Sequence, residues 1–358
     1  MKFSLLQKYG KARLGILETK YSKIQTPTFM PVGTLASVKG VEKEYLNELN
    51  FEIILSNTYH LMLRPGINVI KKLGGLNKFM SWNKSILTDS GGFQIMSLGK
   101  SVKVDQSGVT FRSHIDGNLE RLDAEKAIKI QYDLDSTITM IFDECIPYPY
   151  SYSDTEDSLK RSINWAKKSN KFFIKRYGYG IFGIIQGGMY KDLRKRSINE
   201  NLINDFDGYA IGGLAVGEDQ SLMIEIASYV TDYLPEFKPR YLMGVGYPED
   251  ILEAVRNGVD MFDCVLPTRS GRTGLAFTTL GKIKIRNAKY AYDNSPLDPN
   301  CNCIICKNYS KAYLHHLNKS SEILGSVFLT KHNLSFYSNL MKKIRFAISE
   351  NNLNNLKV

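Results

Sequence analysis

The chain has 358 residues, 43% of them hydrophobic and 23% charged, which is the composition of a globular protein with a sizeable core and excludes a disordered or fibrous class. Lys and Arg number 47 against 36 Asp and Glu, and the formal charge of +11 favours a polyanionic partner, nucleic acid first, although a Lys-, Asn- and Ile-rich composition alone produces the same surplus. The N-terminal "MKFSLLQKYGKARLG" lacks a signal-peptide core, no run approaches the ~18 apolar residues of a membrane span, and an odd number of cysteines argues against a disulfide framework, so a soluble, cytoplasmic protein is expected.

Short apolar runs alternate with longer amphipathic ones along most of the chain. The strands read from these runs are 28–33, 51–57, 85–89, 137–143, 180–186, 208–213, 240–246 and 258–263. Between them, 123–136, 153–178 and 219–234 carry Ser or Asp starts and apolar spacing near the helical period. Eight strand–helix units predict a closed (β/α)8 barrel. A Rossmann-type open sheet is the alternative, but no GxGxxG opens a helix after the first strands. "VTFRSHIDGNLERL" (109–122) reads as a hairpin turning at Asp116-Gly117, inserted after the third strand. The polar end "SENNLNNLKV" is expected to fray.

Polar groups fall where a barrel would use them. Asp89, Asp143, Gln186, the Gly212-Gly213 pair and Asp263 each sit at the C-terminal end of a predicted strand, and in a barrel those ends converge on one mouth. Any one such aspartate can equally cap the next helix; five convergent positions argue for a site. Strand alternation turns Asp263 toward the mouth and Cys264 outward, which makes the aspartate the nucleophile candidate and leaves Cys145 and Cys264 as packing residues. "CNCIIC" (301–306) supplies Cys301, Cys303 and Cys306 at metal-ligand spacing, with His315, His316 and His332 available as a fourth ligand.

"TDSGGFQIMSL" (88–98), "FDECIPYP" (142–149), "IIQGG" (184–188), "GYAIGGLAVGE" (208–218), "LMGVG" (242–246), "FDCVLPTRSGR" (262–272) and "CNCIIC" with a later "HN" together resemble the tRNA-guanine transglycosylases, in order and over nearly the whole chain. That family is a (β/α)8 barrel with a zinc subdomain. It exchanges guanine at the wobble position of G-U-N anticodons, those of the Asp, Asn, His and Tyr tRNAs, for a 7-deazaguanine in queuosine biosynthesis, without a nucleotide cofactor.

The resemblance implies a role for each matching residue. Asp263 is the nucleophile that forms a covalent ribosyl ester, and Asp89 is the general acid/base, with a pKa raised by enclosure and by the neighbouring carboxylates. Ser90, Gly91, Gly92, Asp143, Gln186 and Gly213 frame the base, which Phe93 and Met243 sandwich. Val216, where queuine-using relatives have glycine, implies 7-aminomethyl-7-deazaguanine as the incoming base, met by the Leu214 carbonyl and Glu218.

Arg269, Ser270, Gly271, Arg272 and Thr273 match the motif that grips the uridine beside the exchanged base of the tRNA anticodon loop; the family usually has Asn where Ser270 stands. Gly244, Val245, Gly246, Tyr247, Pro248, Glu249 and Asp250 are expected to line the same groove, and "KIKIRNAKY" (282–290) to meet phosphates. The "HN" pair selects His332 as the fourth ligand of one structural zinc per subunit. The division implied is a catalytic barrel over 1–290 with the hairpin near 105–122, a zinc-binding helical unit over 291–345 and a polar tail over 346–358. Tyr309, Tyr313 and His316 read as one helix face, packed on the barrel or placed at a homodimer contact. An inactive tRNA-binding paralogue is the alternative within the family. A zinc-dependent barrel hydrolase is the alternative outside it, and a closed ligand set argues against that one.

Overall fold

The computed structural model describes residues 1–99 and 102–357. Eight parallel strands close into a barrel: β1 (Thr28–Gly33), β2 (Ile53–Ser56), β3 (Ser85–Thr88), β4 (Ile138–Met140), β5 (Gly180–Ile185), β6 (Gly208–Ile211), β7 (Arg240–Leu242) and β8 (Met261–Cys264). Each of the eight sequence runs contains one of them or overlaps it. β8 closes the barrel on β1, with Met261 opposite Thr28 and Asp263 opposite Met30. The strands are short and buried along both faces, which is why they read as continuous apolar runs rather than as alternating ones.

The helices start where the sequence marks them. Asp123 caps Ala124–Asp133 by accepting from Lys126 N at 2.8 Å, and Ser151 caps Tyr152–Phe172 by accepting from Asp154 N at 3.1 Å. Trp165 on the second of these stacks on Phe142, ring centroids 4.8 Å apart, and so braces the segment that leads into Asp143. The hairpin insertion is three-stranded: Gly108–Arg112 pairs with Leu119–Leu122, as the sequence predicts, and also with Lys103–Asp105.

Three features depart from the sequence reading. Lys2–Tyr9, Ala12–Glu18 and Lys23–Thr26 form an antiparallel sheet across the N-terminal rim of the barrel. Its anchor is the buried pair Arg13 Nε–Asp260 Oδ1, 3.2 Å, with Arg13 Nη2 donating to Lys238 O at 3.0 Å. Asp260 and Asp263 therefore occupy opposite ends of β8, one holding this sheet and the other at the mouth.

The expected fray at the C-terminus is the second departure. A 27-residue helix, Ile323–Ser349, runs past the boundary drawn at 345, and the segment after it is pinned. Leu353 is buried, and the Arg256 guanidinium donates to the carbonyls of Leu353, Asn354 and Leu356 at 3.3, 3.4 and 3.0 Å. An apolar side chain and three carbonyls in search of donors outweigh the polar composition; Val358 lies outside the described residues.

Third, Tyr309 is not on the helix that carries Tyr313 and His316. Ser310 caps a new helix, Lys311–Lys319, and Tyr309 ends the previous one, Ile304–Asn308, although its ring still stacks on Tyr313 at 5.6 Å. No helix among the described residues is long and apolar enough to cross a membrane.

Candidate active site

The mouth is built from the strand ends. Asp89 follows β3, and its carboxylate accepts four hydrogen bonds: Asn57 Nδ2 at 2.5 Å, Thr58 N at 2.8 Å, Gln94 Nε2 at 2.8 Å and Gly91 N at 3.1 Å. Burial nevertheless dominates these donors and pushes its pKa up to about 6. Asp143, after β4, is also pushed to about 6 by burial, against the pull of Gln186 Nε2 at 2.8 Å and Ser90 Oγ at 3.3 Å. The charge of Asp89 adds to the rise of Asp143.

Gln186 itself is held from below, its backbone N–H donating to Ser197 Oγ at 3.0 Å. The glycines around it have no alternative: a Cβ on Gly212 would lie 2.6 Å from Gln186 Nε2, one on Gly213 2.5 Å from Gln186 Oε1, and one on Gly92 2.6 Å from Asp143 O. Gly213 also has φ +64°.

Asp263 sits at the end of β8 with both of its donors on one oxygen. Tyr241 Oη donates to Oδ1 at 2.6 Å and Gly244 N at 2.8 Å, and among the described residues no donor reaches Oδ2. Burial raises its pKa, and the two donors hold it down. The pKa of the Tyr241 hydroxyl is driven well up by burial and by the charges of Asp263, to which it is hydrogen-bonded, and of Asp89. Cys264 turns the other way, against Gly246, where an added Cβ would lie 2.7 Å from its Sγ, and burial pushes its thiol up to about 11. Cys145 is likewise pushed up to about 12 by burial. Burial keeps both thiols protonated near neutral pH, which fits packing roles for them.

Phe93, on the short helix Gly92–Met96, is 56% exposed, and Met243 after β7 is half-buried, so both side chains border open space. Leu214 is buried, and the Glu218 carboxylate turns back on its own loop to accept from Ala215 N at 2.6 Å and Val216 N at 3.0 Å.

The predicted RNA-contacting residues divide in two. Arg269, Thr273, Tyr247 and Glu249 are exposed, Arg272 and Asp250 half-buried, and Gly244 open to solvent. Val245, Gly246 and Pro248 of the expected groove lining and Ser270 and Gly271 of the expected uridine motif are buried. A Cβ on Gly271 would lie 2.6 Å from Thr330 N of the long helix, and Gly246 O accepts from Tyr337 Oη of the same helix, so these residues serve as packing seams. Lys282 of the basic strip is committed to Glu249 at 3.6 Å and lies over the Tyr247 ring.

Cys301, Cys303, Cys306 and His332 place their ligand atoms within 4.8 Å of one another. His332 Nδ1 faces Cys303 and Cys306 at 3.6 and 3.4 Å, and its Nε2 is held by Phe277 O at 2.8 Å, which fixes the tautomer that offers Nδ1 to a metal. His315 is excluded, its Nδ1 lying 2.8 Å from Ile285 O. Three sulfurs and one imidazole converging with no disulfide among them fit one tetrahedral ion such as zinc. Next to His332, Asn333 accepts from Phe277 N and donates to Pro267 O and Leu275 O, tying the long helix to the hairpin Leu275–Lys284 and to the helix Leu266–Arg272 that carries the arginines.

The sequence reading missed the supports: Asn57, Thr58 and Gln94 around Asp89, Tyr241 against Asp263, and Arg194 beneath Gln186. Asn, Thr, Gln and Tyr carry no sequence signal of such a role. Arg194 had one, a charged residue on the otherwise buried face Leu193–Ser197–Ile198 of its helix.

A closed (β/α)8 barrel with paired carboxylates at its mouth and a Cys3His cluster beside it defines a barrel enzyme with a metal-organised C-terminal unit. A family model for queuine tRNA-ribosyltransferase matches residues 8–358. Curated proteins of that name from Rickettsia typhi (strain ATCC VR-144 / Wilmington) and Rickettsia bellii (strain OSU 85-389) are 55% identical over 346 and 347 residues, covering 97% of this chain and 96% of each relative. One from Rickettsia rickettsii (strain Sheila Smith) is 54% identical over 346 residues. The chain belongs to the queuine tRNA-ribosyltransferase family.

Proposed function

We propose that the chain is a tRNA-guanine transglycosylase of queuosine synthesis that replaces the wobble guanine of G-U-N anticodons with 7-aminomethyl-7-deazaguanine through an aspartyl–ribose ester. The observation that carries this reading is a pair of buried carboxylates at strand ends, Asp263 with its two donors among the described residues both on Oδ1, and Asp89 enclosed with its pKa pushed up to about 6. Asp263 Oδ2 attacks the ribose C1′, while Oδ1 stays fixed by Tyr241 and Gly244. Asp89 gives its proton to the departing guanine and takes one from the incoming base, which its pKa of about 6 suits near neutrality.

Asp143 accepts from the N1–H and amino edge of the purine, and Gln186 and the Gly213 N–H donate to its 6-carbonyl. Ser90, Gly91 and Gly92 shape the floor. Phe93 and Met243 close on the two faces of the ring. Val216 limits the room beside the 7-substituent, and Leu214 O and Glu218 meet its ammonium group, which supports the aminomethyl base over queuine.

Arg269 and Arg272 hold the neighbouring uridine, Gly244, Tyr247, Glu249, Asp250 and Thr273 border the RNA groove, and the net charge of +11 draws in the tRNA. Cys301, Cys303, Cys306 and His332 hold one zinc per subunit. With four protein ligands, the zinc supplies a crosslink and offers no open position to substrate. The barrel over 1–290 and the zinc-binding unit that begins at 291 and runs to the end of the long helix at Ser349 form the working division, the stacked Tyr309 and Tyr313 are a contact to a second subunit, and the enzyme works in the cytoplasm on its tRNA.

The test is incorporation of labelled guanine into a tRNA with a G-U-N anticodon, with denaturing gels for an RNA–protein adduct. Exchange together with an adduct that Asp263→Asn cannot form is the expected result. Folded, metal-loaded protein that neither exchanges nor forms an adduct refutes the enzyme and leaves the tRNA-binding paralogue.

A further inference from the structure

Arg194 lies on the inner face of the helix Lys191–Ile203 and is completely buried. A guanidinium so enclosed usually meets a carboxylate. Here its hydrogen-bond partners are three backbone carbonyls: Nε donates to Gly188 O at 2.8 Å, and Nη1 donates to Ile185 O at 2.6 Å and to Gly212 O at 2.8 Å. Those carbonyls come from the end of β5, the loop after it and the end of β6, on either side of Gln186. Burial lowers the pKa of Arg194 only to about 10, so the group remains a cation at neutral pH.

The Gly212 carbonyl and the Gly213 N–H are the two ends of one peptide unit. A cation donating to the oxygen draws electron density from the nitrogen and makes its N–H a stronger donor. Nη2 lies on the same side, 3.7 Å from where a Cβ on Gly213 would stand, so its positive charge is directed at that peptide as well. The Ile185 carbonyl is in turn one end of the peptide whose N–H, on Gln186, donates to Ser197 Oγ at 3.0 Å, so the same cation tightens the strand end that carries the amide.

We infer that Arg194 is a positioning residue for recognition of the purine 6-carbonyl, setting the place and the donor strength of the Gly213 N–H and the place of the Gln186 amide from beneath the pocket. Its effect grows as guanine departs, because the negative charge then gathered on the 6-carbonyl oxygen is what a polarised N–H stabilises. This rests on the base-exchange reading given above, and it predicts a selectivity for the carbonyl group that simple support of the fold would not produce.

The experiment compares guanine with 2-aminopurine, which has hydrogen where guanine has its 6-carbonyl and a bare ring nitrogen at N1; because Asp143 is the same in variant and wild type, each base is compared between the two proteins. Exchange by the unaltered protein is measured first; its absence overturns the base-exchange reading and this inference with it. Given exchange, Arg194→Gln is expected to raise the KM for guanine by roughly tenfold, the weight of one weakened buried hydrogen bond. The Ki of 2-aminopurine as an inhibitor is expected to stay within about twofold, and Arg194→Lys to recover part of the guanine KM. Both constants rising together, or neither moving, overturns the role of Arg194 and leaves the base-exchange reading intact. Should neither variant fold, arginine-labelled wild-type protein decides by NMR. The protected guanidinium resonance is expected to move with guanine and to stay in place with 2-aminopurine; the same response to both ligands overturns the inference.

Discussion

Replacing Asp89 with Asn should cut base exchange steeply and remove a pH-dependent loss of stability that the carboxyl imposes on the wild type. The carboxyl moves from an ordinary 3.8 to about 6 on folding because burial outweighs its four donors. The folded state therefore binds a proton that the unfolded state has already lost between about pH 4 and pH 6, and stability falls as pH rises through that window. The displacement corresponds to roughly 3 kcal/mol lost by the wild type above it. Asn carries no such proton. The difference in unfolding free energy, variant minus wild type, should climb across the window by about 3 kcal/mol and level off near pH 7, from a low-pH baseline set by the acceptor that Asn lacks for Asn57 and Gln94.

Asp143 remains in both proteins. Removing the Asp89 charge lowers its pKa, which adds to the climb with the same sign. Urea unfolding at a series of pH values, read by tryptophan fluorescence, measures the difference, and exchange on the same samples should fall by about 10²- to 10⁴-fold, the usual weight of a general acid–base group. A difference that is flat with pH, or a variant that keeps its exchange rate, would refute the assignment of Asp89.

Three further outcomes are expected. Tyr241→Phe removes the donor that holds Asp263 Oδ1 at 2.6 Å; adduct formation in a single turnover should slow by about tenfold, with the acid limb of its pH profile moving upward, and a rate equal to wild type would remove Tyr241 from the site. Arg269→Ala should raise the KM for tRNA by about tenfold while leaving the Ki of free guanine alone, which separates RNA grip from base binding. His332→Ala should lower the unfolding midpoint by roughly 10 °C, and a chelator should inactivate wild-type protein only as fast as its C-terminal unit unfolds; instant, reversible loss of exchange would instead mark a metal at the chemistry.

The barrel was legible because its strands are buried on both faces and must be apolar throughout, so eight such runs in series admit few other folds. The carboxylates were legible because charge at the end of an apolar run is conspicuous. What surrounds them was not. Asn57 and Gln94 reach Asp89 from other elements, and Tyr241 sits inside an apolar strand where a tyrosine is unremarkable. The sheet over Lys2–Thr26 escaped notice because its key, Arg13 with Asp260, pairs residues that lie far apart in the sequence. The packing of Gly271 was hidden as well: it lies between the exposed Arg269 and the half-buried Arg272, yet its backbone meets Thr330 of the long helix.

His332 and Asn333 are consecutive, yet one completes the sulfur cluster and the other fastens the helix of Arg269 and Arg272 through Pro267 O. Among the described residues, the carboxylates proposed to meet the base take no hydrogen bond from the long helix, whereas the arginine helix is fastened to it through Asn333, beside the cluster proposed to hold metal. A chain short of metal would thus still recognise the small substrate while failing to hold the large one, and its defect would show as lost tRNA capture rather than as lost base affinity.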